Sequence, residues 1–112
     1  MEPGALLPGT LDLLILKAVS LGPLHGYAVL LRLQQVTAGA LRIEQGALYP
    51  ALYRLEHQGL LGAEWGVSDN KRRARFYSLT AAGRKRLRDE TATWHLLVSA
   101  MAAALRASPG DV

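Results

Sequence analysis

The side chains best placed to do chemistry in this sequence are cations and phenols rather than nucleophiles. Lys71, Arg72 and Arg73 stand side by side in a polar stretch, with Arg75 close behind. Three adjacent cations at a hairpin tip repel one another until an anion arrives, and nucleic-acid phosphates or a DNA minor groove supply one. A solvated, mobile turn is the competing reading. A second group holds Gln45, Tyr49, Pro50, Tyr53 and Arg54. Tyrosine hydroxyls bond phosphate, and arginine bonds phosphate or guanine. Without other evidence, the same group reads as an exposed helix face with amphipathic tyrosines. Arg54 could instead pair with Glu56 or another nearby carboxylate. His25 and Tyr27 flank Gly26 where a helix is expected to begin, and a helix N-terminus attracts phosphate. There the alternative is a plain helix start with Tyr27 half buried. A last run, Arg84 to Arg88, opens another expected helix. Cations there oppose the helix dipole, so the run either extends a DNA-attracting field or keeps the protein soluble.

Other chemistries find little support. His25, His57 and His95 lie in different expected elements at no metal-ligand spacing. There is no glycine-rich phosphate loop and no nucleophile elbow. Catalytic residues, metals and cofactors are therefore expected to be absent. The chain lacks cysteine, which excludes disulfides and thiolate sites. Its longest strongly apolar stretch, residues 11–16, is too short to span a bilayer. Met-Glu-Pro-Gly at the start lacks a positive n-region, so no secretory leader and a cytoplasmic location are expected. With 13 Lys and Arg against 9 Asp and Glu, the net charge is a modest +4. Its distribution carries more, because residues 1–41 hold only Glu2, Asp12, Lys17 and Arg32. Most of the positive charge falls between Arg42 and Arg88, as a polyanion partner would require.

These side chains need elements to hold them, and 112 residues suffice for one core. Pro8-Gly9 followed by Thr10 as N-cap predicts a first helix, apolar on several sides, stopped by Gly22-Pro23. His25-Gly26 opens a second helix, ended by Thr37 to Gly39. The alternation of Leu41-Arg42-Ile43 predicts a minimal strand. A third helix runs from about Gln45 to His57, closed by Gly59, with Leu48, Leu52 and Leu55 inward. Pro50 places the helix start close to Glu44 or Gln45, because proline is tolerated in or near the first turn. At about 100° per residue, Gly46, Pro50, Tyr53 and His57 face outward, with Tyr49 and Arg54 on the flanks. Residues 60–65 and 74–79 read as strands joined by a polar loop, 66–73. Thr80 caps a long helix to about Ala107, ended by Ser108-Pro109-Gly110. The fold class is mainly α with a small antiparallel β-hairpin: a winged helix-turn-helix over residues 1–79, a long C-terminal dimerisation helix over 80–107 and a disordered tail over 108–112.

Five segments of the sequence resemble the PadR-type transcriptional regulators. They are Leu-Leu-Pro-Gly-Thr-Leu-Asp-Leu-Leu-Ile-Leu at 6–16, Leu-Gly-Pro-Leu-His-Gly-Tyr at 21–27, Gly-Ala-Leu-Tyr-Pro-Ala-Leu-Tyr-Arg-Leu-Glu at 46–56, Gly-Leu-Leu at 59–61 and Arg-Ala-Arg-Phe-Tyr-Ser-Leu-Thr-Ala-Ala-Gly at 73–83. The resemblance, to the short members with one C-terminal helix, spans about residues 10 to 107. It implies a homodimer with one winged helix per subunit, binding double-stranded DNA to repress nearby genes, often of detoxification or efflux. In some members a small molecule releases the DNA. Ala47 departs from the family, which usually carries Ser there, so one phosphate contact is in doubt. A winged helix that serves as a protein-protein adaptor, without DNA, is the alternative function.

In the last helix, Leu87, Thr91, Trp94, Val98, Met101 and Leu105 recur at alternating four and three, a heptad seam. Such a seam suits the same helix of a second subunit under two-fold symmetry, and the operator is then expected to be a near-palindrome. Packing of the seam on the chain's own first helix is compatible with this. Trp94 is the large aromatic on the seam, with Ala92, Ala100, Ala102, Ala103 and Ala104 near it. Two copies of Trp94 could hold a planar apolar effector between them, or simply fill the interface core. Drug-sensing relatives use an aromatic of this helix in the first way, and the resemblance points in that direction.

Overall fold

The computed structural model describes residues 9–112. Residues 1–8, which include Glu2, the expected leaderless N-terminus and Pro8 of the expected breaker, lie outside the described residues. Helix α1 spans Thr10–Ser20. Its N-cap is Gly9, at φ 87°, rather than Thr10, which is the first helical residue. As the all-round apolar pattern requires, α1 touches α2, α3, α4 and β3 (defined below) and buries Ile15, Leu16, Ala18 and Val19.

After Gly22-Pro23, Leu24–His25 forms a two-residue strand, β1. Helix α2 follows at Gly26–Val36, and the His25 imidazole caps it by accepting from the Ala28 N–H at 3.2 Å. The expected strand at residues 41–43 is absent. That segment is irregular, and its alternation reflects one anchor, Ile43, buried in the core. The small strand lies at β1 instead, too short to show any periodicity in sequence.

Helix α3 spans Gln45–His57. Pro50 is its sixth residue, in the second turn rather than the first. It therefore denies the Gly46 carbonyl its usual partner, on a face open to water. The helix ends in a Schellman turn, with Gly59 at φ 78°, Gly59 N–H bonded to the Glu56 carbonyl and Leu60 N–H to the Leu55 carbonyl. Leu48, Ala51, Leu52 and Leu55 bury the inner face.

Strands β2, Leu61–Val67, and β3, Arg73–Leu79, pair antiparallel from Leu61 opposite Leu79 to Val67 opposite Arg73. The strands are longer than the sequence suggests and the loop shorter, residues 68–72. β1 adds to the other edge of β3, giving the order β1-β3-β2. Thr80 caps α4, Ala81–Arg106, by accepting from the Gly83 N–H at 3.0 Å. A turn of 3-10 helix, Pro109–Asp111, follows where the sequence predicts a disordered tail. Among the described residues, only the start of α4 joins the core, through Gly83 and the half-buried Leu87. Its remainder projects, and the molecule measures 62 × 29 × 20 Å.

Candidate nucleic-acid interface

Three helices followed by a hairpin put α3 and the β2–β3 wing next to each other. On α3, Tyr49, Pro50 and Tyr53 are exposed, Tyr53 at 66%. The Tyr53 ring lies nearly parallel to that of His57, with centroids 6.2 Å apart. Gln45 stands exposed at the first turn. Tyr49 leans over the start of α2, where a Cβ on Gly26 would come within 2.6 Å of its ring. A larger residue at position 26 would have to push the Tyr49 ring aside, and Tyr49, Tyr27 and His25 meet at this place. The side chain of His25 is occupied there, as the cap of α2 and in an edge-on contact with Phe76 at 5.5 Å.

The wing divides its cations. Lys71 and Arg72 lie exposed in the loop, and neither has a carboxylate partner among the described residues. Lys71 takes the left-handed conformation, at φ 61°. The loop is closed by Ser68 N–H and Lys71 N–H bonding the Arg72 and Ser68 carbonyls, each at 2.8 Å. Arg73 does not sit at the tip as expected. It opens β3, and its guanidinium covers the Trp65 ring at 4.4 Å. Arg75 forks onto Glu56 of α3, at 3.0 and 2.6 Å. That hydrogen bond holds the Arg75 guanidinium above its ordinary pKa.

Arg54 is likewise engaged, with Asp12 of α1 rather than with Glu56. Two of the four cations in the Arg84–Arg88 run are paired along their own helix, Lys85 with Asp89 at 2.8 Å and Arg86 with Glu90 at 3.5 Å. The Lys85 bond holds the Asp89 carboxyl below its usual range.

Between the wing and the α2–α3 corner lies a cleft of about 760 Å³, walled by Tyr27, Leu31, Tyr49, Trp65 and Tyr77, with Arg72 and Arg75 in its lining. Burial raises the Tyr77 hydroxyl above its ordinary pKa. Of the residues singled out in the sequence, Tyr27, Tyr49 and Arg72 line this cleft, as does Trp65, which was not singled out; Asp12 was not expected as the partner of Arg54, and Glu56 was expected beside Arg54 rather than Arg75. The Asp12–Arg54 partners are 42 positions apart, and no local pattern announces such a pair. For Trp65, the sequence offered only an aromatic in an expected strand, because the register that sets it opposite Arg75 is fixed by the pairing itself.

On α4, the seam residues separate by depth. Leu87 packs on the core and Thr91 is half buried, whereas Trp94, Val98, Met101 and Leu105 are exposed on the projecting part, Leu105 at 79%. Among the described residues no group of histidine and carboxylate side chains could hold a metal ion. Nor is any helix among them long and apolar enough to cross a membrane.

The sequence profile of the transcriptional regulator PadR-like family matches residues 15–89. A PadR family transcriptional regulator from Eggerthella lenta has a solved structure that superposes with a TM-score of 0.74. It is 34% identical, and the match covers 89% of this chain and 85% of that one. Transcriptional regulator Rv3488 of Mycobacterium tuberculosis is 42% identical over 57 residues, 51% of this chain and 52% of that protein. A protein in transposon TN4556 of Streptomyces fradiae is 41% identical over 79 residues, 70% of this chain. The chain spans about half the length of the first of these two curated relatives and 21% of the second.

Proposed function

The chain belongs to the PadR-like family of transcriptional regulators, which are regulatory DNA-binding proteins and not enzymes, and from that premise we propose that it is a cytoplasmic homodimer that represses adjacent detoxification or efflux genes. The observation that carries this reading is the placement of two unlike surfaces beside one cleft. One is the small, tyrosine-flanked face of α3, and the other is the cationic loop of the wing. The exposed Gly46, Ala47 and Pro50 let α3 approach base edges closely, while the Tyr49 and Tyr53 hydroxyls reach for phosphates. Lys71 and Arg72 engage phosphates along the neighbouring minor groove. Arg54 and Arg73 contribute to that surface while held by Asp12 and Trp65.

Dimerisation follows from α4. A helix with Trp94, Val98, Met101 and Leu105 exposed along one stripe has apolar area that water solvates poorly and an identical helix can cover. Two winged helices then meet a near-palindromic operator. A planar apolar effector stacking between the two Trp94 rings releases the DNA. The experiment is a mobility-shift assay on the DNA flanking the protein's own gene, with random-sequence duplex as competitor. Retention of the flanking fragment at competitor excess supports the proposal. A protein-protein adaptor leaves both duplexes unshifted.

A further inference from the structure

We infer that Glu56 and Arg75 form a brace that holds the wing at a fixed angle to α3, which makes Glu56 a positioning residue for DNA binding. The inference rests on the DNA-binding reading above. The outer half of the hairpin has little else to hold it. Leu61, Tyr77 and Leu79 root the ribbon in the core, and β1 covers β3 only opposite Phe76 and Tyr77. Beyond that level, among the described residues, the two strands have only each other as backbone partners, and an isolated two-stranded ribbon in water is marginal at best.

Arg75 is the side chain that crosses from this outer half to α3. Both of its terminal nitrogens bond the two oxygens of Glu56, a planar fork that fixes orientation as well as distance. The guanidinium lies 5.8 Å from the centroid of the Trp65 ring and 5.9 Å from that of Tyr77. Arg73 covers Trp65 from further along the strand. An unbroken contact chain thus runs from Glu56 in the last turn of α3, through Arg75 and Trp65, to Arg73 beside the loop. Arg75 Nε is buried without a partner, so Glu56 is the acceptor that orients the guanidinium.

Electrostatics sharpens the inference. A carboxylate on the flank of a DNA-reading helix repels phosphate, and Glu56 also neutralises a cation that lines the cleft. Both effects weaken DNA binding. A glutamate placed there helps only if the orientation it imposes on the wing gains more than its charge loses. Lys71 and Arg72 can meet phosphates while α3 occupies the major groove only if the ribbon points in one direction.

The test compares wild type, Glu56→Gln, Arg75→Lys, Lys71→Ala/Arg72→Ala and the triple variant Glu56→Gln/Lys71→Ala/Arg72→Ala. Affinity for the flanking DNA and for random duplex is measured against salt. Glu56→Gln should bind about tenfold more weakly. Its salt slope should fall by about two units, one for each wing cation that loses its phosphate. Lys71→Ala/Arg72→Ala should show the same loss, and the triple variant should be no worse than either. Arg75→Lys keeps the charge but not the fork, and it should behave like Glu56→Gln. Additive losses, unchanged binding, tighter binding by Glu56→Gln, or wild-type behaviour of Arg75→Lys overturn the brace. Hydrogen exchange without DNA gives a second readout. Glu56→Gln should speed exchange in residues 64–75 and leave α1 unchanged. If wild type binds no DNA, the functional reading fails, while unchanged exchange in Glu56→Gln overturns the brace itself.

Discussion

At the residue scale, single side chains decide what each surface can do. Tyr53 has its ring in water and its backbone in a helix held by Leu48, Leu52 and Leu55 from the other side. Tyr53→Ala should therefore leave folding nearly unchanged and weaken flanking-DNA affinity by about 1–3 kcal/mol, the scale of one good contact. Normal binding by Tyr53→Ala would show that the outward face of α3 is not the reading face. Gly83 is decided by space. A Cβ there would stand 2.1 Å from the Leu60 carbonyl oxygen, which is backbone and cannot yield cheaply. Alanine offers about 1 kcal/mol of helix propensity over glycine, yet overpacking costs about 1–3 kcal/mol and sometimes more. Gly83→Ala should thus lower the urea midpoint despite improving the helix. No local pattern announces this constraint, because it is a contact with the turn after α3. Tyr77 links burial to pH. Its folded pKa is raised above the ordinary 10.0 by burial, so its contribution is complete below that value and is lost as pH rises through the folded one. Between about pH 8 and about pH 11, wild type should lose more stability than Tyr77→Phe in urea titrations. Equal losses would remove Tyr77 from the alkaline transition.

At the element scale, helices were far more legible than the wing. The limits of α2 and α3 follow from punctuation the chain displays locally: His25 as cap, Gly59 as C′ residue and a stripe of leucines between. Thr10 failed as a cap because Gly9 already holds the left-handed turn that enters the helix. The wing was harder, since strand ends depend on a partner. Val67 and Arg73 are strand residues because they face each other across the ribbon, and the polar composition of both flanks hid this. Arg73 was accordingly assigned to the tip and in fact lies over Trp65. A working tip reduced to Lys71 and Arg72 changes what its removal predicts. The double alanine variant should lower the salt slope of binding by about two units on any duplex, and thermal unfolding should move little because both side chains are exposed. A full-length slope in that variant would refute wing contact with phosphate.

At the scale of the whole molecule, the shape poses the question of what covers α4. A helix of 26 residues is about 39 Å long. Among the described residues only its first turns reach the core, and the charged residues Arg84 to Glu90 end where the exposed apolar stripe begins. Charge on the rooted half and none between residues 91 and 105, His95 aside, is the division expected of a solvated stem and a covered tip. The heptad spacing was readable in the chain, whereas the depth of each seam residue was not. Leu87 packs, partly buried, against the chain's own core, whereas Trp94, Val98, Met101 and Leu105 are exposed. Two subunits joined there would set their α3 helices about 34 Å apart, one DNA turn, and footprinting should show two protected half-sites related by inversion. Trp94 tests the joint and the effector together. As packing at the centre of the interface, its loss in Trp94→Ala should cost about 3–5 kcal/mol and shift sedimentation toward monomer at micromolar concentration. As the wall of a ligand site, it should tolerate alanine better, and planar cationic dyes should quench its fluorescence in a Trp65→Phe background and release DNA from the wild-type protein. Dissociation of Trp94→Ala together with unquenched fluorescence across a broad dye panel would eliminate the effector site and leave protein concentration itself as the controlling variable, because only the dimer spans both half-sites.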